Sequence, residues 1–161
     1  MAFSIQVEGM DQLFDKLNEL DGKALNIAAQ GLYEGAGVVA DAVSRSVHGI
    51  ATEPFHYAKS GKTRKPSPEE KAIIANARKG VAKFRKNGIS VQTSVGMQNA
   101  GYAKLGNKMK PIPQIANAIN SGTSFMQPQP FMRKAFSKSK SAAETAIENK
   151  IRELIDEIDI G

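Results

Sequence analysis

The sequence predicts an α+β fold: a small, mostly antiparallel sheet packed by two long helices, with two extended basic loops. Three observations carry this expectation. Apolar residues recur at spacings of three and four over about 23–48 and again over about 130–159, the period of a helix face. They alternate with polar residues along Ile89, Val91, Thr93 and Val95, the period of a half-buried strand. Between these segments, 49–68 and 98–113 are rich in Gly, Pro and Lys and read as loops. A length of 161 residues suits one domain, 1–161, with room for a real core.

At the N-terminal end, Phe3, Ile5 and Val7 alternate with Ser4, Gln6 and Glu8, which reads as a short strand closed by Gly9. Met10, Leu13, Phe14, Leu17 and Leu20 then mark a short amphipathic helix that stops at Asp21-Gly22. The long helix that follows carries the stripe Leu25, Ala28, Ala29, Leu32, Ala36, Val39, Val43 and Val47. It also contains Gly31, Gly35 and Gly37, each costing up to about 1 kcal/mol against alanine in a helix interior. Three such residues imply that something packs very close to this backbone, either the chain's own sheet or a neighbouring subunit.

Prolines 54, 66 and 68 and Gly61 break regular structure over 49–68. Pro68-Glu69-Glu70 places a proline and two acids where a helix N-terminus favours them, opening a short helix to about residue 79. Asn87-Gly88 has the chemistry of a two-residue hairpin turn between strands over 81–97. The segment 112–120 is ambiguous between strand and helix, with Ile112, Ile115 and Ile119 fitting the helical spacing better. Gly122-Thr123 then turns the chain, and Pro128, Pro130 and Phe131 anchor the start of the last helix against the sheet, where a proline in the first turn loses no hydrogen bond.

The net charge of +6 is unevenly placed. Residues 1–58 hold eight acids against three bases, residues 71–143 hold thirteen bases and no acid, and the tail from Glu144 is again acidic. Opposed regions of this kind suit either contact with phosphate or complementary faces between copies. There is no cysteine, so disulfides, thiolate metal sites and cysteine nucleophiles are out. No stretch approaches the roughly 18–20 apolar residues of a membrane span. The N-terminal residues lack the basic and apolar runs of a signal peptide, so a soluble chain made in the cytoplasm is expected, with no membrane partner.

Little in the sequence points to chemistry. His48 and His56 flank Glu53, but their spacing has no helical logic for a metal site. Ser60-Gly61-Lys62-Thr63 lacks the upstream glycine of a phosphate loop, and no nucleophile-elbow motif is present. The expectation is therefore a protein that is not an enzyme and needs no cofactor.

The order of elements does have a likeness. A strand with "VEGMDQLFDKLNEL", a long Ala-rich helix, a basic loop, a hairpin, Tyr102-Ala103, Gly122-Thr123 and "QPFMRKAF" (129–136) before a terminal helix together resemble the tail-completion, or head–tail joining, proteins of long-tailed bacteriophages. That resemblance implies a structural virion protein. It would form a ring, usually six-fold, in the neck between the head connector and the tail tube, with DNA passing through it. Its partners would be further copies of itself and the neighbouring connector, tail-terminator and tail-tube proteins, with non-specific contact to the passing DNA. The candidate assembly or lumen residues are the loop bases Lys59, Lys62, Arg64 and Lys65, the hairpin bases Lys83, Arg85 and Lys86, and the second-loop bases Lys104, Lys108 and Lys110. Two rival readings stand beside it: a tail-terminator or head-closure ring, and a free, non-specific DNA-binding protein using the basic hairpin.

Overall fold

What packs against the glycines of the first long helix organises the molecule. The computed structural model describes residues 3–4, 23–77, 80–81, 85–86, 91–97 and 100–159. Helix α1 spans Ala24–Ser46 and tightens into a 3-10 turn at Val47–Gly49. Against it lies the C-terminal helix Phe131–Asp159, which is α4 once α2 (Pro68–Asn76) and α3 (Ile112–Ser121) are counted. Ile151 sits over Gly31 and Ile147 over Gly35, so the two helices run antiparallel. A methyl group added at Gly31 would lie 2.7 Å from Ile151 Cγ1, and one at Gly35 would lie 2.5 Å from Ile147 Cγ1 and 3.0 Å from the Ala143 carbonyl. The close neighbour of Gly31 and Gly35 is thus the C-terminal helix rather than the sheet. Gly37 has nothing within 4 Å of such a methyl.

The core grows from this contact. Ala36, Val39, Val43 and Val47 of the first helix face Ala135, Ala143, Ile147 and Ile151, and Ile112, Ile115, Ala116 and Ile119 of α3 join the same cluster. The segment 112–121 is helical, with Pro113 in its first turn where the missing N–H has no intrahelical partner in any case. Its apolar face resolves the ambiguity of the sequence in favour of the helical period. Helix α2 ends at Asn76, about three residues short of expectation.

Among the described residues the strands are short and every ladder is antiparallel. They are β1 Phe3–Ser4, β2 Gly80–Val81, β3 Arg85–Lys86, β4 Val91–Gln92, β5 Ser94–Gly96, β6 Tyr102–Leu105 and β7 Lys108–Pro111. β5 is the centre of a three-stranded sheet between β1 and β2, with Val95 opposite both Phe3 and Val81. Thr93 and Val95 are buried while Gln92 is exposed, so the alternation read in the sequence sets the inward face. β2, β4 and β5 lie against α1. The fold is therefore α+β, as expected.

Two expectations need correction. β3 pairs with β4 in the register Lys86 opposite Val91, which leaves four residues between the strands instead of the two of an Asn87-Gly88 turn. The second basic loop is largely not a loop: Tyr102–Leu105 and Lys108–Pro111 form a hairpin that runs straight into α3. The helix expected at 10–20, the strand residues Ile5 and Val7, the Asn87-Gly88 turn itself and Lys83 lie outside the described residues.

The packing predicts opposite outcomes at two neighbouring glycines. Gly37→Ala gains helix propensity with no steric cost and is expected to stabilise by about 0.5–1 kcal/mol. Gly35→Ala makes the same gain but meets a buried isoleucine and a backbone carbonyl, an overpacking cost of about 1–3 kcal/mol that outweighs it. Thermal unfolding should separate the two variants on either side of the parent, at about 2–4 °C per kcal/mol for a chain of this size.

Candidate interaction surface

The segment 50–67 begins and ends pinned, and Arg64 is the chief pin. Ser67 caps α2: its Oγ accepts from the Glu70 N–H at 3.2 Å, and its own N–H donates to Glu70 Oε2 at 2.7 Å, a complete capping box. The Glu70 carboxylate also takes both terminal nitrogens of Arg64, at 2.8 Å each, and Arg64 Nη1 donates to the Lys65 carbonyl. Both side chains are buried, with Arg64 at 5% and Glu70 at 3% exposure. Burial pushes the Glu70 carboxyl up, but the bonds from Arg64 and Ser67 outweigh it and hold the group below the usual carboxylate range. The Arg64 guanidinium is raised by its bond to Glu70, against the cost of burial.

The Arg64 backbone does as much as its side chain. Its N–H donates to the Phe125 carbonyl and its carbonyl accepts from the Gln127 N–H, both at 2.8 Å, forming a parallel bridge with Met126. Glu53 closes the loop on itself, accepting from the Lys65 N–H at 2.6 Å and donating its own N–H to the Pro66 carbonyl. Lys71 Nζ donates to the carbonyls of His48 and Ile50. Between these ties the middle of the loop is carried outward. Phe55 lies under the Arg64 guanidinium at 5.0 Å and meets Tyr57 edge-on, centroids 5.4 Å apart. Tyr57 is 88% exposed, and Lys59 and Lys62 are exposed beside it in the chain.

The hairpin β6–β7 is a second projecting element. Gly106 has φ +59° and Asn107 has no positive φ, the pattern of a type II′ turn, whose first central position wants glycine. The register puts Tyr102, Lys104, Met109 and Pro111 on one face and Ala103, Leu105, Lys108 and Lys110 on the other. Ala103 and Leu105 pack against the core, so the first face looks outward, with Tyr102 and Met109 mostly exposed.

The turn at 122–131 holds the start of α4. Gly122 has φ +76°, and a methyl there would lie 3.0 Å from Pro128 and from the Met126 carbonyl, so only glycine fits. Thr123 Oγ1 accepts from the N–H groups of Phe125 and Met126, closing the turn. The Gln129 N–H donates to the Ile119 carbonyl, and the Asn120 side chain accepts from the Met132 N–H. Phe131 is buried in the core. The last helix is thus anchored on the end of α3 and, through Gln129 and Ala51, on the 50–67 loop, rather than on the sheet.

The predicted bases divide accordingly. Lys59, Lys62, Lys104, Lys108 and Lys110 are exposed on the two projecting elements, and Lys65 is half-buried. Arg64 is a correction: it is turned inward onto Glu70 and cannot serve as a lumen or docking contact. Arg85 and Lys86 lie on β3, and their side chains, like Lys83, are outside the description. Sequence reasoning missed Glu70, Phe55, Tyr57, Met109 and Asn120. Signals for two of these features were present: Ser67-x-x-Glu70 is the capping-box spacing, and Gly106-Asn107 between two short strands marks a hairpin.

Removing one partner of the Arg64–Glu70 pair strands the other charge out of water. Glu70→Gln is expected to destabilise by about 3–5 kcal/mol in denaturant unfolding at neutral pH. Because the folded carboxyl titrates below its unfolded value, the pair contributes fully above the ordinary carboxylate range and its contribution fades as pH falls through the depressed folded value. The stability gap between parent and Glu70→Gln should therefore close on acidification.

Among the described residues, no three His, Asp or Glu side chains gather as a metal site would require, and no helix is long and apolar enough to cross a membrane. Compared with protein-family models, curated proteins and solved structures, the chain matches none.

Proposed function

We propose that the chain is a structural subunit of the neck of a long-tailed bacteriophage, a ring-forming tail-completion protein between head connector and tail tube through which DNA passes. The observation that carries this reading is the exposed Phe55–Tyr57 pair, mounted on the buried Arg64–Glu70 junction. Exposed aromatics held by a stiff base are features of a docking surface, because they offer a large contact area with little ordering left to lose. The hairpin adds exposed Tyr102 and Met109 on its outward face, so two arms, the loop and the hairpin, both present exposed apolar side chains flanked by lysines. A subunit seated between other proteins needs such contacts. The likeness of element order to the tail-completion proteins supplies the place, and the lysines of both arms suit a lumen through which phosphate passes.

The rival with an observation behind it is a free DNA-binding protein, since residues 71–143 carry bases and no acid. Light scattering on the purified chain over a wide concentration range, with and without duplex DNA at two salt concentrations, separates the two. The neck reading expects a closed oligomer at high subunit concentration and weak DNA affinity. A monomer that binds duplex DNA tightly, with log affinity falling steeply against log salt, would overturn it in favour of the rival.

A further inference from the structure

We infer that the groove between the C-terminal half of α1 and the N-terminal half of α4 is a subunit-docking site, and that its occupant is the acidic C-terminal end of α4 from a second copy of this chain. The inference rests on the ring reading above and names the contact that would build the ring.

The groove is an open cavity of about 580 Å³. Its lining includes small and apolar residues, among them the half-buried Val38 and Ala42 and the exposed Ala142, which let a partner approach the backbone closely. Its rim carries three exposed cations, Arg45, Lys134 and Lys138. No described acid pairs with any of the three, whereas the cations farther along α4 are satisfied within the helix: Lys140 by Glu144, Lys150 by Glu153 and Arg152 by Glu148. At the other end of the same helix, Asp156 and Glu157 are exposed and make no ion pair within 4.0 Å among the described residues, Glu157 acting on Lys150 only from farther off, while Leu154, Ile155 and Ile158 beside them pack half-buried on this chain's own core. The basic rim of the groove and the exposed acids of the helix end complement each other in charge.

Two physical points make this an intermolecular match. The eighteen or more residues of α4 that separate Lys138 from Asp156 span about 30 Å at 1.5 Å per residue, so the two ends of one rigid helix cannot meet. The charges also run against the helix's own field. The first turn of α4 has bases and no acid, and the last has acids and no base, the reverse of what the macrodipole favours. A helix would not gain stability from this order by itself; a groove that receives the far end of another copy does gain from it.

Charge reversal tests the contact. Lys134→Glu with Lys138→Glu gives one variant, and Asp156→Lys with Glu157→Lys gives another; all four sites are exposed, and circular dichroism checks that each variant is folded. Light scattering should show the parent assembling, with assembly weakening as salt rises, and each variant alone needing at least about tenfold more protein to reach the same mass, because like charges then face each other. An equal mixture of the two variants should regain the parent's mass, since the acidic groove of one meets the basic helix end of the other. A Lys134→Glu/Lys138→Glu variant that assembles like the parent would overturn the docking site while leaving the ring reading intact. So would folded variants that stay apart in the mixture. A parent that stays monomeric at every concentration would overturn this inference and count against the ring itself.

Discussion

Because Gly31 and Gly35 remove the side chains that would hold two helices apart, Ile151 and Ile147 lie against the α1 backbone itself, and the core is built out from that approach. Each glycine costs up to about 1 kcal/mol of helix propensity. Each isoleucine, at 2% exposure, contributes about 1.5–3 kcal/mol through burial. Close packing therefore outweighs what the glycines lose. α1 then offers one face to the strands, and the start of α4 meets α3. The sheet is too short to stand alone: its central strand has three residues, and Val95 is buried against the helices rather than within a broad β layer.

Arg64 does for the loops what the glycines do for the helices. A buried ion pair adds little net stability, because the attraction mostly offsets the loss of hydration. Its effect here is positional. A planar guanidinium that must meet a carboxylate with two parallel bonds leaves the 50–67 segment one register relative to α2. The backbone of the same residue fixes the 122–130 segment by two further bonds. One residue thus couples the aromatic loop, the α2 cap and the turn that launches α4, and the face of its guanidinium remains to hold Phe55.

The sequence was legible where local pattern and packing agree. The stripe of α1 from Ala29 onward, the alternation through Val95, the proline-and-acid start of α2 and the turn at Gly122 all express rules that act within a few residues, and the structure follows them, although at the start of α1 the core takes Ile27 rather than Leu25 or Ala28. It was opaque where the deciding partner lies far along the chain. Arg64 reads as one more base in a lysine-rich loop, and only the placement of Glu70 by its cap turns it inward. Asn120 gives no sign that it serves a helix beginning eleven residues later. The hairpin at 102–111 was hidden by its composition, since lysines and glycines read as loop. Its cross-strand pairs need only one half-buried face, Ala103 and Leu105, to hold. The candidate surface was half legible: its lysines could be named, whereas the exposed aromatics could not be told from core until burial was known.

If α4 of one copy seats in the groove of the next, the two patches in contact are different surfaces, and the interface is head-to-tail. An open assembly of this kind always leaves one groove and one helix end unfilled, and two copies satisfy both only if a two-fold axis relates them. It closes into a ring when the rotation per subunit divides the circle, and otherwise continues as a filament. The same rod that keeps its own acids and bases apart also sets the spacing between neighbouring copies, so ring size would be governed by the tilt between successive α1–α4 pairs. Neither the Phe55 and Tyr57 side chains nor the 102–111 hairpin lines this groove. Both arms would then remain free for contacts above and below the ring, which is the division of labour a joining piece requires: one surface to make the ring, others to hold what it joins.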